Sequence, residues 1–337
     1  TCNRFLRDDT HGVDDLAVLS AVLEGTNMKS DSSLRRLLPF AAYFNICFFW
    51  GTAGVANKLS SSMIHPFFAG SLRFLIASVL MALWVGFRHE SLAVGLRDGK
   101  TLAVGSVLMY FLNTVLLLFA SRRVDAGIST VMVSLIPITI LLVDSLAARK
   151  LCVSWVGIGG IIGGFAGIAV VVVGSVSGGN ADPIGIALLL LADIVWSVGT
   201  VYLKYQSISA SVQVQIFYQS AIPAILFFFC AVLTGNFDLG KLSWRGALPM
   251  AYMGIADSIV GLTSYLYLLR RWKTSVVSTY AYINPVVGIL LSALLLSEEI
   301  TMAKVGGMLL ILVSVFVIQR EDWLSGLLTR KVKRIAD

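Results

Sequence analysis

The chain has 337 residues, of which 57% are hydrophobic and only 13% charged, about half the roughly 25% charged share of a typical soluble domain. With a mean hydropathy of +0.84, there is too little polar surface to cover a water-facing globule, so a bilayer protein is expected. The excess of 26 Lys+Arg over 19 Asp+Glu, a net charge of +7, then reads as membrane orientation and not as nucleic-acid affinity. Cys2, Cys47, Cys152 and Cys230 have neither zinc-ligand nor CxxC spacing, so reduced, packed thiols are expected, with no metal and no cofactor.

Residues 1–36 read as a polar, cytoplasmic extension. Within it, residues 1–27 mix Arg4 and Arg7 with Asp8, Asp9, Asp14, Asp15 and Glu24 and contain no long apolar run. A secretory signal would need a basic start followed by an apolar core. The first methionine is Met28, which suggests that the native chain begins there and that residues 1–27 are non-native or a disposable extension.

Crossing about 30 Å of hydrocarbon takes about 20 mostly apolar residues. Ten such runs follow, at 37–57, 66–87, 101–120, 126–147, 153–173, 183–204, 214–234, 246–269, 275–296 and 302–319. Pro39, Pro66, Pro183 and Pro249 stand near their starts, where a missing N–H costs nothing. The loops are short, as in a tight helical bundle. GSVSGGNAD at 174–182 is the one clear linker, and residues 320–337 form a basic, cytoplasmic tail containing RKVKR.

Loop Lys and Arg residues set orientation. With the N-terminus inside, nineteen fall on the cytoplasmic side, including Arg88, Arg97, Lys100, Arg149, Lys150, Lys204 and Arg270. Six fall outside: Lys58, Arg122, Arg123, Lys241, Arg245 and Lys304. Both termini are therefore expected in the cytoplasm.

The two halves repeat. WGTAGVANK at 50–58 matches WSVGTVYLK at 196–204, and Arg122-Arg123 before Pro137 matches Arg270-Arg271 before Pro285. Five spans separate each feature from its copy. Five is odd, so the second half lies upside down relative to the first, a hallmark of secondary transporters that bind substrate near the midplane. The predicted fold is all-α and integral to the membrane: ten transmembrane helices as two inverted five-helix repeats, 37–173 and 183–319.

With these segments in view, the chain resembles the drug/metabolite transporter superfamily and, within it, the EamA-type ten-helix transporters. FFWGTAGVANK and SLRFLIASVLMAL in the first repeat carry the likeness, together with STYAYINPVVGILLSALLLSEEITMAKVGG in the second. The likeness covers about residues 38–319 and implies a central cavity, alternating access and transport of a small organic solute. It also implies a multi-pass protein of a bacterial inner membrane. One departure stands out: family repeats close span four with an acid, as Glu299 closes span nine, whereas the first half has Arg149-Lys150.

Ionisable groups inside hydrocarbon are costly, and each is a functional-site hypothesis. Asp193 in span six and Asp257 in span eight are candidates for proton or ion coupling, against a plain reading as satisfied buried carboxyls. They align with Cys47 and about Met109, so neither has an acidic counterpart. Arg73 aligns with Gln219. Its guanidinium could hold a substrate carboxylate or phosphate, but a structural role, as a pair with Asp257 or a snorkelling side chain, is favoured. Lys58 and Lys204 read as snorkelling helix ends. Asp144 is expected near the cytoplasmic end of span four.

Pro137 and Pro285 are expected to break the hydrogen-bond ladder at matching depths. Tyr280, Tyr282 and Asn284 give span nine a polar stripe, and Gln215 and Gln219 repeat the i, i+4 spacing in span seven. With Asn113, Trp50 and Trp196 they make a candidate aromatic and polar substrate site, although each alone is more often packing. Glycines 159, 160, 163, 164 and 167 form overlapping GxxxG patterns, read as packing or homodimerisation.

His11, His65 and His89 lie outside the spans, and no HExxH, paired Asp–Gly motif or P-loop occurs, which argues against an embedded enzyme or an ATP-driven pump. A secondary transporter of amino acids or related solutes is the favoured function, exporting or exchanging them. Nucleotide-sugars or sugar phosphates are the alternative cargo, and a scaffold or channel without coupled transport is the alternative of another class.

Overall fold

The computed structural model describes residues 32–149, 155–178, 182–238, 240, 243–269, 271–272, 277 and 280–320. The predicted extension over 1–31, Lys150, Cys2, Cys152, Arg270, the Tyr282 side chain and the tail beyond Arg320 lie outside the residues so described.

The described residues are helical in ten spans. Seven are long and apolar enough to cross a membrane as they stand: Leu37–Met63, Pro66–Phe87, Leu96–Ala120, Ala126–Ala147, Trp155–Ser177, Pro183–Lys204 and Val212–Leu233. Span 8 follows as Trp244–Tyr252, Met253–Gly261 and Leu262–Leu269, then span 9 as Tyr280–Leu296 and span 10 as Met302–Gln319. Large side chains such as Leu83, Phe87, Leu233 and Leu294 stay exposed around the bundle, as lipid contact requires.

The packing follows an approximate two-fold rule. Spans 2 and 7 pack on each other, as do 5 and 10, and 4 and 9. Span 1 packs on spans 8 and 9, and its counterpart span 6 packs on spans 3 and 4. Spans 3 and 8 each contain a π-helical stretch, Ser106–Leu112 and Met253–Gly261, beginning at equivalent positions. Both halves are thus one five-helix design run in opposite directions.

Several local expectations are corrected. Span 1 continues to Met63, so Lys58 does not end its helix. Hydropathy marks where the apolar run stops, whereas the ladder carries on through LSSSM, with Ser62 Oγ donating to the Leu59 carbonyl at 2.9 Å. Pro66 and Pro183 do sit in first turns, but Pro39 and Pro249 lie well inside their helices. Span 4 is interrupted between Val133 and Ile136, just before Pro137. No matching break occurs at Pro285, which lies within an uninterrupted helix. Span 1 instead carries a slight interruption at Thr52, whose Oγ1 donates to the Phe49 carbonyl at 2.7 Å, a contact that bends helices.

The span 5 glycines are packing sites within the chain. A Cβ on Gly160, Gly163 or Gly167 would meet Ile318, Ser314 or Ile311 of span 10, and one on Gly164 would meet Ile138 of span 4. Only Gly159 of this set faces open space.

Candidate functional site

Arg73 lies in span 2, and the π-helical stretch of span 8 places Asp257 opposite it. Such stretches turn the residues after them off the regular helical face and recur at functional sites. Arg73 Nη2 donates to Asp257 Oδ2 at 2.6 Å, with 9% of the Arg73 side chain and 19% of the Asp257 side chain exposed. Trp50 Nε1 donates to the Asp257 carbonyl at 3.4 Å, and the guanidinium lies 5.0 Å from the centre of the Phe74 ring.

The pseudo-two-fold supplies a neutral copy of this pair. Gln219 stands where Arg73 stands in the first half, and Tyr110, in the π-helical stretch of span 3, answers Asp257. Tyr110 Oη donates to Gln219 Oε1 at 3.2 Å. The counterpart of Asp257 is therefore Tyr110, one residue beyond the expected Met109. Trp196 joins through its ring contact with Tyr110, at 5.8 Å between centroids. Trp50 packs against Tyr265 and Tyr280, at 5.5 and 4.9 Å.

The remaining polar candidates are engaged elsewhere. Asn113 Nδ2 donates to the Ala192 carbonyl at 3.0 Å, tying span 3 to span 6. Asn284, with its amide oriented by its partners, donates to the Tyr280 and Cys47 carbonyls at 3.0 and 3.1 Å. Gln215 sits in the first turn of span 7 and donates to the Ala210 carbonyl at 2.9 Å. Asp193 stands apart from all of these. It is 1% exposed, and neither carboxyl oxygen has a hydrogen-bond partner.

A second polar cluster, not anticipated from sequence, closes one end of the bundle. Glu298, after span 9, accepts from the Ala126 and Gly127 backbone N–H groups at 2.7 and 3.1 Å. These are the open donors at the start of span 4, where the helix dipole also favours an anion. Lys304 Nζ donates to Asp125 Oδ2 at 2.6 Å and to the Glu299 carbonyl at 2.8 Å. Lys58 Nζ reaches the Val124 carbonyl at 2.6 Å. The acid that closes span 9 by its side chain is thus Glu298, while Glu299 lends Lys304 a carbonyl. The clue in the sequence was two acids past a helix end, five residues before a lysine.

Small residues let spans 1, 4 and 9 approach closely beneath this latch. A Cβ on Gly54 would meet Thr130 Oγ1 and the Ala126 carbonyl, and one on Gly288 would meet Thr130. Nearby, Asp182 accepts from Arg123 at 2.5 Å and from the Ile184 N–H at 2.6 Å. The Arg123 hydrogen bond, with that N–H second, holds its carboxyl below the ordinary range. His65 accepts from the Phe67 N–H at the start of span 2. Burial, then the Arg122 charge, push its imidazole below the usual 6.5.

The opposite end has a different ionic contact. Lys204 Nζ donates to both Asp144 oxygens at 2.8 Å, and Tyr205 Oη donates to Oδ1 at 3.1 Å. Lys204 is therefore paired and not simply snorkelling, and the Tyr205 hydroxyl's own hydrogen bond to Asp144 is the main cause of the upward shift of its phenol. A cleft bounded by Glu90, Ser91, Ala93, Ala210, Ser211 and Val214 opens at this end, away from the polar centre. Among the described residues no group of His, Cys, Asp and Glu could hold a metal ion.

Comparison with known proteins agrees with this architecture. A transporter of Escherichia coli K12, described as "Uncharacterized inner membrane transporter YedA", is 28% identical over 273 residues, covering 79% of this chain and 86% of its own. An "Uncharacterized transporter" of Archaeoglobus fulgidus is 26% identical, covering 81% and 95%. The "WAT1-related protein At3g02690, chloroplastic" of Arabidopsis thaliana is 24% identical, covering 80% and 67%. A solved crystal structure matches 84% of this chain and 96% of its own with a TM-score of 0.56 at 18% identity, a likeness of fold alone. The model of the EamA-like transporter family matches twice, at residues 40–173 and 183–320. The chain is a multi-pass membrane transporter and belongs to the EamA-like transporter family.

Proposed function

We propose that this transporter exports or exchanges small zwitterionic metabolites, amino acids and related solutes, by alternating access between its two halves. The Arg73–Asp257 pair carries the reading. It sets a cation 2.6 Å from a carboxylate, among the rings of Phe74, Trp50 and Tyr110. A zwitterion has the complementary charges: a carboxylate for the guanidinium and an ammonium for Asp257 and the aromatic faces. Nucleotide-sugars and sugar phosphates would call for several inward cations. Among the described residues Arg73 is the one cation at this depth, and Asp257 already balances it.

Alternating access rather than an open channel is supported by the Glu298 latch and the glycine-mediated packing beneath it. The loop bias in Lys and Arg supports a reading with that end outside and both termini in the cytoplasm, and the likeness to an inner membrane transporter of Escherichia coli supports a bacterial inner membrane. A second copy, if one assembles, would use a face other than Gly160–Gly167, which span 10 covers.

The test is a thermal-shift panel on detergent-purified protein with millimolar amino acids, nucleosides, sugars, nucleotide-sugars and lipophilic cations, followed by counterflow in liposomes. A ligand at about 100 times its Kd stabilises the folded state by about 2.7 kcal/mol. Amino acids should stabilise the wild type, and the effect should vanish in Arg73→Gln. Stabilisation by nucleotide-sugars alone overturns the reading.

A further inference from the structure

We propose that Asp193 is a proton-binding site, occupied in the conformation seen here and emptied when the transport cycle opens span 6 to water. The inference rests on the transporter reading for its role in a cycle, but not for the presence of the proton.

The argument starts from position. Asp193 lies at the middle of Pro183–Lys204 and is 1% exposed, and neither oxygen has a donor. A buried carboxylate without partners is among the costliest groups a protein can hold, and adding a proton removes the charge. Span 6 packs on spans 3, 4 and 5, and none of them brings a cation to this depth. Arg97, Asp98 and Lys100 stand in the first turns of span 3, and the hydroxyl of Tyr110 is turned to Gln219. In span 4, Asp125 and Asp144 lie at the ends and are bound by Lys304 and Lys204. Span 5 has no titratable residue between Trp155 and Ser177. On span 6 itself Asp182 and Lys204 stand at the termini, and Tyr202 lies near the latter.

The contrast with the other carboxyls isolates Asp193. Asp125, Asp144, Asp182 and Asp257 each face a Lys or Arg within 2.8 Å, a counter-charge that Asp193 lacks. Asp193 also lies beside the interface between spans 6 and 4. The Asp193 carbonyl accepts from Ser197 Oγ at 2.7 Å, and that hydroxyl meets Thr139 Oγ1 at 2.6 Å. Thr139 follows the interruption of span 4, so a rearrangement there would uncover the acid. The proton enters from water on one side of the bilayer and leaves to water on the other, with no bond formed except O–H.

The test is infrared spectroscopy of the purified full-length protein at neutral pH, in H2O and D2O, with Asp carbonyls labelled with carbon-13 in a parallel sample. The expected result is a protonated-carboxyl C=O band that shifts with the aspartate label, persists in Asp257→Asn and disappears in Asp193→Asn. Absence of an aspartate-sensitive band in the wild type, or its survival in Asp193→Asn, overturns the proposal. If Asp193→Asn fails to fold, a label-sensitive band that persists in Asp257→Asn still reports a protonated aspartate, since among the described residues Asp125, Asp144 and Asp182 are ion-paired and Asp98, at the start of span 3, accepts from the Ser209 N–H at 2.9 Å. In liposomes loaded with a neutral amino-acid mixture, Asp193→Asn should lose pH-gradient-driven accumulation while keeping exchange. No transport of the mixture by the wild type would count against the amino-acid cargo, whereas the infrared band would stand or fall on its own.

Discussion

Replacing Lys304 by methionine is the sharpest test of the latch. The Lys304 side chain is 2% exposed and that of Asp125 19%, so the ammonium is fully desolvated while its partner keeps some contact with water. Removing one member of a buried pair costs about 3–5 kcal/mol, chiefly because the other charge is left uncompensated. The residual exposure of Asp125 places Lys304→Met at the lower end, about 3 kcal/mol, or roughly a hundredfold in the unfolding equilibrium. Adding Asp125→Leu removes the stranded charge, and such double apolar replacements are often neutral. The double variant should therefore recover to within about 1 kcal/mol of the wild type. Denaturant unfolding in micelles, followed by tryptophan fluorescence, measures both. If Lys304→Met is as stable as the wild type, or if the double variant is the sum of two losses, the latch is not an energetic contact.

Three further outcomes follow from the same geometry. Glu298→Gln keeps the shape but weakens the charged cap on span 4, and should cost about 0.5–2 kcal/mol in the same unfolding assay. Gly288→Ala drives a methyl into Thr130 and should cost about 1–3 kcal/mol, while Gly159→Ala, facing open space, should be neutral. His65 binds its proton more readily in the unfolded chain than in the folded one. Wild-type stability should fall as pH drops below 6.5, levelling out once the folded form is protonated too. His65→Asn, which keeps a cap acceptor, should remove that acid-dependent part of the thermal unfolding profile.

Much of the architecture was legible in the chain. Apolar runs of bilayer length, the WGTAGVANK and WSVGTVYLK copies and the odd count of spans between them require an inverted repeat, because periodicity and parity are properties of sequence. The pairing of Arg73 with Asp257 was also within reach, since two opposite charges inside hydrocarbon seek each other. Packing alone decided the rest. Tyr110 answers Asp257 because the two π-helical stretches begin 147 residues apart, at Ser106 and Met253, an offset that the motifs flanking them did not fix. Asn113, Gln215 and Asn284 are spent on backbone carbonyls of neighbouring segments, and Pro285 continues a helix that Pro137 helps to interrupt. Glu298 became a cap because span 9 ends beside the start of span 4, 172 residues away in the chain. Asp193 differs from Asp257 for the same reason: each is one acid in an apolar helix, and only the neighbours brought by the fold give one a cation and leave the other without.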